Sequence, residues 1–467
     1  MSYEREGGPM EVEELTRRIG KEVFARVDAT GPFPFSPAWW DDRLMDLSMR
    51  DEAVKLQMFR FTDVLPQLET PAAIVQHLRE YFGEVGDRLP LPARWGLKLL
   101  PTRGPLGAAL AGVTRWSARR LARKFIAGSD IPEAVEAVRR MRSRSLAFTV
   151  DLLGEATVTE AEAEQAQGEY LRLIHGLSEA VNAMRENPLI DRDDAGPIPR
   201  VNVSVKLSAL YSQFDPIDPD GTSKAVRARL RPVLHAARQA RAFVNFDMEQ
   251  YSFKDTTLQI FEEVLSEPDF RDWPDVGLAI QAYLRDTARD LERLRDWAAR
   301  RGTPVWVRLV KGAYWDYETI LAQQLGWPVP VWSRKWESDA AYERLTRFLL
   351  ENRAHLKPAF ASHNVRSLSH ALAMAKLMRL PQGAVEVQML YGMADPIKDV
   401  LVGMKQRVRV YTPYGELLPG MAYLVRRLLE NTANESFLRA SFTEHVPAEQ
   451  LLRNPEEVGK RQATLAH

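Results

Sequence analysis

From residue 147 onward, eight short runs rich in Val, Ile and Phe alternate with longer stretches of helical spacing. The runs are "AFTVDLLGE" (147–155), "VNVSVKLSA" (201–209), "AFVNFDME" (242–249) and "VGLAIQAYL" (276–284). They continue with "PVWVRLVKGA" (304–313), "KPAFASHN" (357–364), "VEVQMLYG" (385–392) and "RVRVYTP" (407–413). Between them lie segments such as "SKAVRARLRPVLHAARQAR" (223–241) and "RDLERLRDWAARRG" (289–302). Strands that alternate with helices pair in parallel through crossover helices. Eight such units suggest an α/β protein with a closed (β/α)8 TIM-type barrel rather than an open doubly wound sheet. No G-x-G-x-x-G follows a run and opens a helix, so the dinucleotide-binding alternative lacks its signature.

The chain before the first run reads as helices joined by proline-rich breaks. "DDRLMDLSMRDEAVKLQMFRFTDVLPQL" (41–68) and "PAAIVQHLREYFGEV" (71–85) carry apolar residues at helical spacing, whereas "LPLPARWGLKLLPTRGPLG" (89–107) looks like a connector. Three stretches are therefore expected: a helical arm or support over 1–145, the barrel over 146–445, and a tail or linker start over 446–467.

Lys and Arg number 63 and so do Asp and Glu, so no global charge favours nucleic acid. There is no cysteine, which excludes disulfides, thiolate metal sites and cysteine nucleophiles; no metal site is expected. No apolar stretch approaches the roughly 20 residues of a membrane span, and "MSYEREGGPMEVEELTRRIG" (1–20) is too polar for a secretory signal. A cytoplasmic protein is expected. "RWSARRLARKF" (115–125) is basic and amphipathic; it reads as a solvated helix face, with peripheral contact to an anionic membrane as the alternative.

In a barrel of this kind the chemistry sits at the carboxyl ends of the strands. Those ends carry Asp151, Lys206, Asp247 with Glu249, Gln281, Arg308 with Lys311, His363 with Asn364, Gln388 and Tyr411. Buried charges must pair with one another or with a ligand. Many donors and few carboxylates suit a large anionic ligand, such as a nucleotide cofactor, better than a hydrolytic pair of acids. Each residue also has a plainer reading. Lys206 could pair with Asp247, His363 could be structural, Tyr314 and Trp315 could anchor a loop, and Gly312 fits close approach to a phosphate. After the eighth run, "AYLVRRLLENTANESFLR" (422–439) puts Tyr423, Arg426, Arg427 and Glu430 on one helix face. That face is either solvated or an arginine clamp on an anion. The linker "TPYGELLPG" (412–420) could lay this helix over the barrel mouth.

Taken together, "VSVKLSAL", "RLVKGAYWD", "ASHN", "RVRVYTPYG" and "YLVRRLLEN…SFLR" closely resemble proline dehydrogenase. The resemblance spans roughly residues 40–450 and includes "DLSMRDEAVKLQMFRFTDVLPQL" and "LAFTVDLLGEA"; the lysine of "VKGAYW" is similar to the bifunctional proline utilisation A type. It implies a distorted (β/α)8 barrel that holds FAD non-covalently and oxidises L-proline to Δ1-pyrroline-5-carboxylate, with hydride transfer to the flavin N5. This is the first step of proline catabolism to glutamate. Electrons would pass to a membrane quinone, with the protein cytoplasmic or peripheral to the inner membrane.

Carried over motif by motif, the resemblance places the proline carboxylate on Arg426 and Arg427. Lys206, Asp247, Tyr314, Leu390, Tyr411 and Tyr423 would complete the pocket, with Lys206, Asp247, Arg308 and Tyr411 as the catalytic group. FAD would meet Met248, Gln281, Arg308, Val310, Lys311, Gly312, Ala313 and Trp315. Its contacts would continue through Ser333, Arg334, Lys335, Ser362, His363, Asn364, Gln388, Glu430, Ser436 and Phe437. Bifunctional relatives continue into an aldehyde dehydrogenase module with a catalytic cysteine. This chain is expected to be a monofunctional relative or the first part of a longer protein. No DNA-binding ribbon-helix-helix, and no nucleic acid partner, is expected at its acidic start.

Two rival classes remain open at this level. One is a barrel lyase with Lys206 or Lys311 as a Schiff-base amine; the other is a non-catalytic barrel that binds an amino-acid anion. The clamp reading has a direct test. Arg426→Met or Arg427→Met should each raise the KM for proline, by about 2–5 kcal/mol of lost binding, with flavin retained. A wild-type KM in either variant would remove that residue from the clamp.

Overall fold

The computed structural model describes residues 8–29, 52–64, 68, 70–88, 109, 112, 123–154, 157–416 and 446–465. All eight expected runs form strands: β1 (Ala147–Leu152), β2 (Val201–Val205), β3 (Ala242–Phe246), β4 (Val276–Gln281), β5 (Val305–Val310), β6 (Leu356–Ala361), β7 (Glu386–Leu390) and β8 (Arg407–Tyr414). Each pairs in parallel with the next, and β8 returns to β1, closing the barrel. The second strand is shorter than its apolar run suggests. It stops at Val205, and Leu207–Leu210 turn into a short 3-10 helix.

The strand sequences carry a period of two that sorts the residues. Val201, Val203 and Val205 face out under the helices, as do Val307 and Leu309, Val387 and Met389, and Val408 and Val410; all belong to the main apolar core. Burying each such side chain stabilises the fold by about 1.5–3 kcal/mol. The alternate residues face inward and are largely polar: Ser204, Arg308, Glu386, Gln388, Arg407 and Arg409 are all buried. Phe243, Trp306 and Ala359 form a separate apolar plug at the amino end of the barrel, closed by Ile198. Arg407 and Lys357 lie over the Trp306 ring, 5.2 and 5.4 Å from its centroid, a cation–π arrangement.

The helices are α1 (Pro9–Ala29), α2 (Glu52–Val64), α3 (Pro71–Gly83), α4 (Ile131–Ser143), α5 (Glu160–Asn182), α6 (Pro188–Asp191), α7 (Pro219–Gln239) and α8 (Tyr251–Ser266). They continue with α9 (Thr287–Arg301), α10 (Trp315–Leu325), α11 (Lys335–Glu351), α12 (Val365–Leu377), α13 (Asp395–Gly403), α14 (Ala448–Leu451) and α15 (Pro455–Leu465). Their ends follow local chemistry. Thr159 and Glu162 form a reciprocal capping box at α5, and Gly302 ends α9 at φ 80°.

α1 packs on the outside of the barrel. Leu15, Ile19, Val23, Phe24 and Val27 repeat along one face and join the main core. Arg366 of α12 fastens this helix, donating to Glu13 at 2.8 Å, to Glu343 at 2.7 and 3.0 Å, and to the Leu452 carbonyl at 3.1 Å. Gly20 permits the close approach, since a Cβ there would lie 2.3 Å from the Leu452 side chain. The connector expected at 89–107 and the helix expected at 422–439 lie outside the described residues, as does most of the basic stretch at 115–125.

Asp275, just before β4, yields a stability prediction. Burial pushes its carboxyl from 3.8 up to about 6, with Lys357 opposing and Asp193 adding to the rise. The folded state therefore holds this proton more tightly than the unfolded chain. Stability from this group is lost as pH rises from 3.8 to about 6. Asp275→Asn should stabilise the protein above pH 6 by about 1–3 kcal/mol, with the gain vanishing near pH 4. Thermal melts across that range check it; a gain independent of pH would contradict the assignment.

Candidate active site

The carboxyl end of the barrel gathers side chains from six strands into one bonded cluster. Lys206, just past β2, donates through Nζ to Asp151 of β1 and lies 3.9 Å from Asp247 Oδ2. Asp247, just past β3, accepts from Arg308 Nη1 at 2.6 Å and from the Tyr411 hydroxyl at 2.6 Å. Arg308 also donates from Nη2 to Ser204 Oγ at 3.0 Å and from Nε to Gln388 Oε1 at 2.7 Å. Its guanidinium carbon stands 5.2 Å from the centre of the Tyr411 ring.

Burial alone would lower the Lys206 ammonium, but Asp151 and Asp247 hold it well above the usual lysine range. Burial pushes the Asp151 carboxyl up, with Lys206 opposing. Burial, reinforced by both aspartates, raises Tyr411 far above an ordinary phenol, so it remains an O–H donor. The plainer reading of Lys206, a pairing with Asp247, is present at 3.9 Å, but its closer partner is Asp151, which the register of β1 against β2 sets beside it.

Beneath this cluster a second tier continues down the barrel. Gln388 Nε2 donates to Glu386 Oε1 at 2.7 Å. Glu386 also accepts from Arg407 Nε at 2.9 Å and from Arg409 Nε and Nη2 at 2.7 and 2.9 Å. Burial would raise the Glu386 carboxyl, but Arg409 and Arg407 hold it down at about 2.

A second polar zone spreads outward from β5 and β6. Lys311 and Lys335 share Asp339 beside the start of α11, with Lys335 at 2.8 Å. Burial would raise Asp339, yet the two lysines lower it to about 2. Burial lowers Lys311, with Asp339 opposing. Arg334 and Lys335 open α11, while Ser333 Oγ and the Arg334 N–H donate to Glu337. The two lysines share one ionised carboxylate, so one positive charge in excess remains beside the start of α11.

Trp315 Nε1 donates to the Trp332 carbonyl at 2.7 Å, so this residue does anchor its loop. Tyr314 precedes α10, and Val310 and Ala313 flank Gly312 on the same exposed rim. His363 Nε2 accepts the Leu390 N–H at 3.1 Å, which puts the ring proton on Nδ1. Asn364 caps α12 through Ser367 N and takes Ser362 Oγ on its own N–H. Met248 is buried beside Asp247.

Three readings of the rim change. Carboxylates are not few: Asp151, Asp247 and Glu249 lie inside it and Asp339 and Glu318 beside it, each with a bonded donor. They escape a donor count because pairing neutralises them. Gly312 has φ +134°, and a Cβ there would lie 2.4 Å from the Tyr283 ring. Close packing against Tyr283 therefore accounts for this glycine without a phosphate. Gln388 spends both amide atoms within the protein. Tyr423, Arg426, Arg427, Glu430, Ser436 and Phe437 lie outside the described residues.

A profile described as proline dehydrogenase matches residues 134–440, and one described as the proline utilization A N-terminal domain matches residues 13–125. The chain belongs to the proline dehydrogenase family. The bifunctional protein PutA of Escherichia coli (strain K12) is 32% identical over 346 residues, covering 72% of this chain and 25% of the relative. Proline dehydrogenase 1 of Bacillus subtilis (strain 168) is 29% identical over 317 residues, covering 68% of this chain and 89% of the relative. The crystal structure of proline utilization A from Bdellovibrio bacteriovorus inactivated by N-propargylglycine superposes with a TM-score of 0.86 at 44% identity, covering 95% of this chain and 44% of that one. The chain thus spans about a quarter of the length of the bifunctional relatives it matches.

The rim fits a flavin nucleotide. Gln281 donates from Nε2 to the Glu249 carbonyl at 3.0 Å. Its Oε1, on a residue 3% exposed, has no partner among the described residues. Such an acceptor calls for an N–H from a ligand. At the start of α11, Lys311, Arg334 and Lys335 stand against Asp339 and Glu337, leaving one positive charge in excess for an anionic group.

Gly312→Ala tests the loop that joins these zones. It places a Cβ against Tyr283 at a left-handed φ, so it should cost about 2–4 kcal/mol and weaken cofactor retention. A denaturation midpoint equal to wild type would show that the loop relaxes freely.

Proposed function

We propose that the chain is an FAD-dependent proline dehydrogenase, oxidising L-proline to Δ1-pyrroline-5-carboxylate. The observation that carries this reading is the bonded group of Lys206, Asp247, Arg308 and Tyr411 at the mouth of a barrel of this family. Together they form a rigid polar floor against which a small amino acid can be oriented.

The proline carboxylate is assigned to Arg426 and Arg427, whose forked donors fix the ring. Lys206, held protonated by two aspartates, keeps a positive charge at the floor. Tyr411 keeps its proton and directs it to Asp247, so the Asp247 carboxylate is turned by two donors into one orientation. Tyr314 and Leu390 supply the apolar walls, and Tyr423 the cover. The substrate amine must reach the site unprotonated, since its lone pair stabilises the forming iminium. A bound flavin supplies the hydride acceptor. Arg308 and Lys311 place positive charge along its rim, and Gln281 offers its free acceptor. Met248, Val310, Gly312, Ala313, Trp315, Ser333, Arg334, Lys335, Ser362, His363, Asn364, Gln388, Glu430, Ser436 and Phe437 complete that assignment.

Electrons would leave to a membrane quinone, from a cytoplasmic protein in peripheral contact with the inner membrane; no helix among the described residues is long and apolar enough to cross one. An aldehyde dehydrogenase module, on a longer chain or separate, would take the product. The lyase alternative loses Lys206, since an ammonium held by two carboxylates is a poor Schiff-base nucleophile.

Anaerobic titration of the purified protein with L-proline is the test. Bleaching of a flavin spectrum with release of pyrroline-5-carboxylate is expected. A colourless protein that stays inert after FAD is added would overturn the reading. Borohydride trapping of a carbonyl compound on Lys311 would then favour the lyase.

A further inference from the structure

Arg308 is held from below as well as from the mouth, and the lower hold has a definite direction. An ionised carboxylate can only accept hydrogen bonds and a guanidinium can only donate them. Gln388 sits between one of each. Its Nε2 faces Glu386 Oε1 at 2.7 Å, and its Oε1 faces Arg308 Nε at 2.7 Å. An amide alone can flip, exchanging donor for acceptor. Here a flip would set N–H against N–H at Arg308 and oxygen against oxygen at Glu386. Glu386 itself cannot turn away, because Arg407 and Arg409 grip both its oxygens.

We propose that Glu386, deep in the barrel, is a positioning residue: it fixes the amide sense of Gln388 and through it the guanidinium of Arg308. Between the two charges the polarity is fixed: Arg308 donates to Gln388 and Gln388 to Glu386, which also accepts from Arg409 below, while at the mouth Arg308 and Tyr411 both donate to Asp247. Gln388 acts as a spacer whose orientation carries the information. None of these residues except Arg308 and those at the mouth needs to touch substrate or cofactor.

The readout is exchange of the Arg308 Nε–H, followed by NMR on arginine-labelled full-length protein. Glu386→Gln should speed this exchange about tenfold or more, the worth of one hydrogen bond to a charged group. Gln388→Met should do the same while leaving no new unpaired charge, which serves if the first variant fails to fold. The exchanged pair Glu386→Gln with Gln388→Glu is the decisive arm. A carboxylate at 388 accepts from Arg308 whichever way it turns, so protection should return to within about threefold of wild type. A role for Glu386 as counter-charge to Arg407 and Arg409 alone predicts instead that Glu386→Gln leaves Arg308 exchange at the wild-type rate, which would overturn the proposal. Wild-type exchange in Gln388→Met, or no recovery in the folded exchanged pair, would overturn the proposal. Flavin affinity is measured in the same proteins, and this second arm rests on the proline dehydrogenase reading. Loosened Arg308 with unchanged flavin affinity would leave the positioning chain standing and remove Arg308 from the cofactor site.

Discussion

Among the described residues, Lys206, Arg308, Arg407 and Arg409 share the barrel interior with Asp151, Asp247 and Glu386, and their pairing decides what that interior can be. Barrels of this kind usually fill the interior with layers of branched apolar side chains. Here the apolar filling is confined to the plug around Phe243 and Trp306 at the amino end. Above it the space is a hydrogen-bonded column. Removing one partner from such a column leaves a charge stranded, which costs about 3–5 kcal/mol. The column therefore behaves as a unit, and its upper end presents a fixed arrangement of donors and acceptors to whatever enters the mouth.

The flanking segments serve the same end. α12 starts directly after Ser362, His363 and Asn364, so the placement of that helix sets this part of the rim. Arg366, the second residue of α12, ties it to Glu13 of α1, to Glu343 of α11 and to the Leu452 carbonyl. Asn454 donates to the same Glu13 at 3.1 Å. The amino-terminal helix and the carboxyl-terminal stretch thus clamp the outside of a helix whose inner end lies at the candidate site. Buried Arg366 is satisfied only when both are present, which makes them structural members of the barrel rather than appendages.

Much of the architecture was legible in the chain because its physical cause is local. Eight apolar runs with helices between them suffice for eight parallel strands, and runs such as "VNVSV" and "RVRVY" already separate the helix-facing valines from inward polar residues. Lys206 and Asp247 directly follow β2 and β3, and Arg308, Gln388 and Tyr411 sit at inward positions within β5, β7 and β8, so the runs already brought these residues into view. Partners were another matter. Spacing cannot tell that Lys206 bonds Asp151 in preference to Asp247, because strand stagger and side-chain direction decide it. Nor can it tell that Gly312 answers to the ring of Tyr283, distant in sequence and in contact in space.

The chain by itself determined which residues alternate and where the eight strands begin, because periodicity and turn chemistry act over a few neighbours. Only the closed barrel decided which charges meet, which amide atom Gln388 offers to Arg308, and which atom of Gln281 is left without a partner. Those outcomes depend on distances across the barrel, between strands that no local pattern brings together.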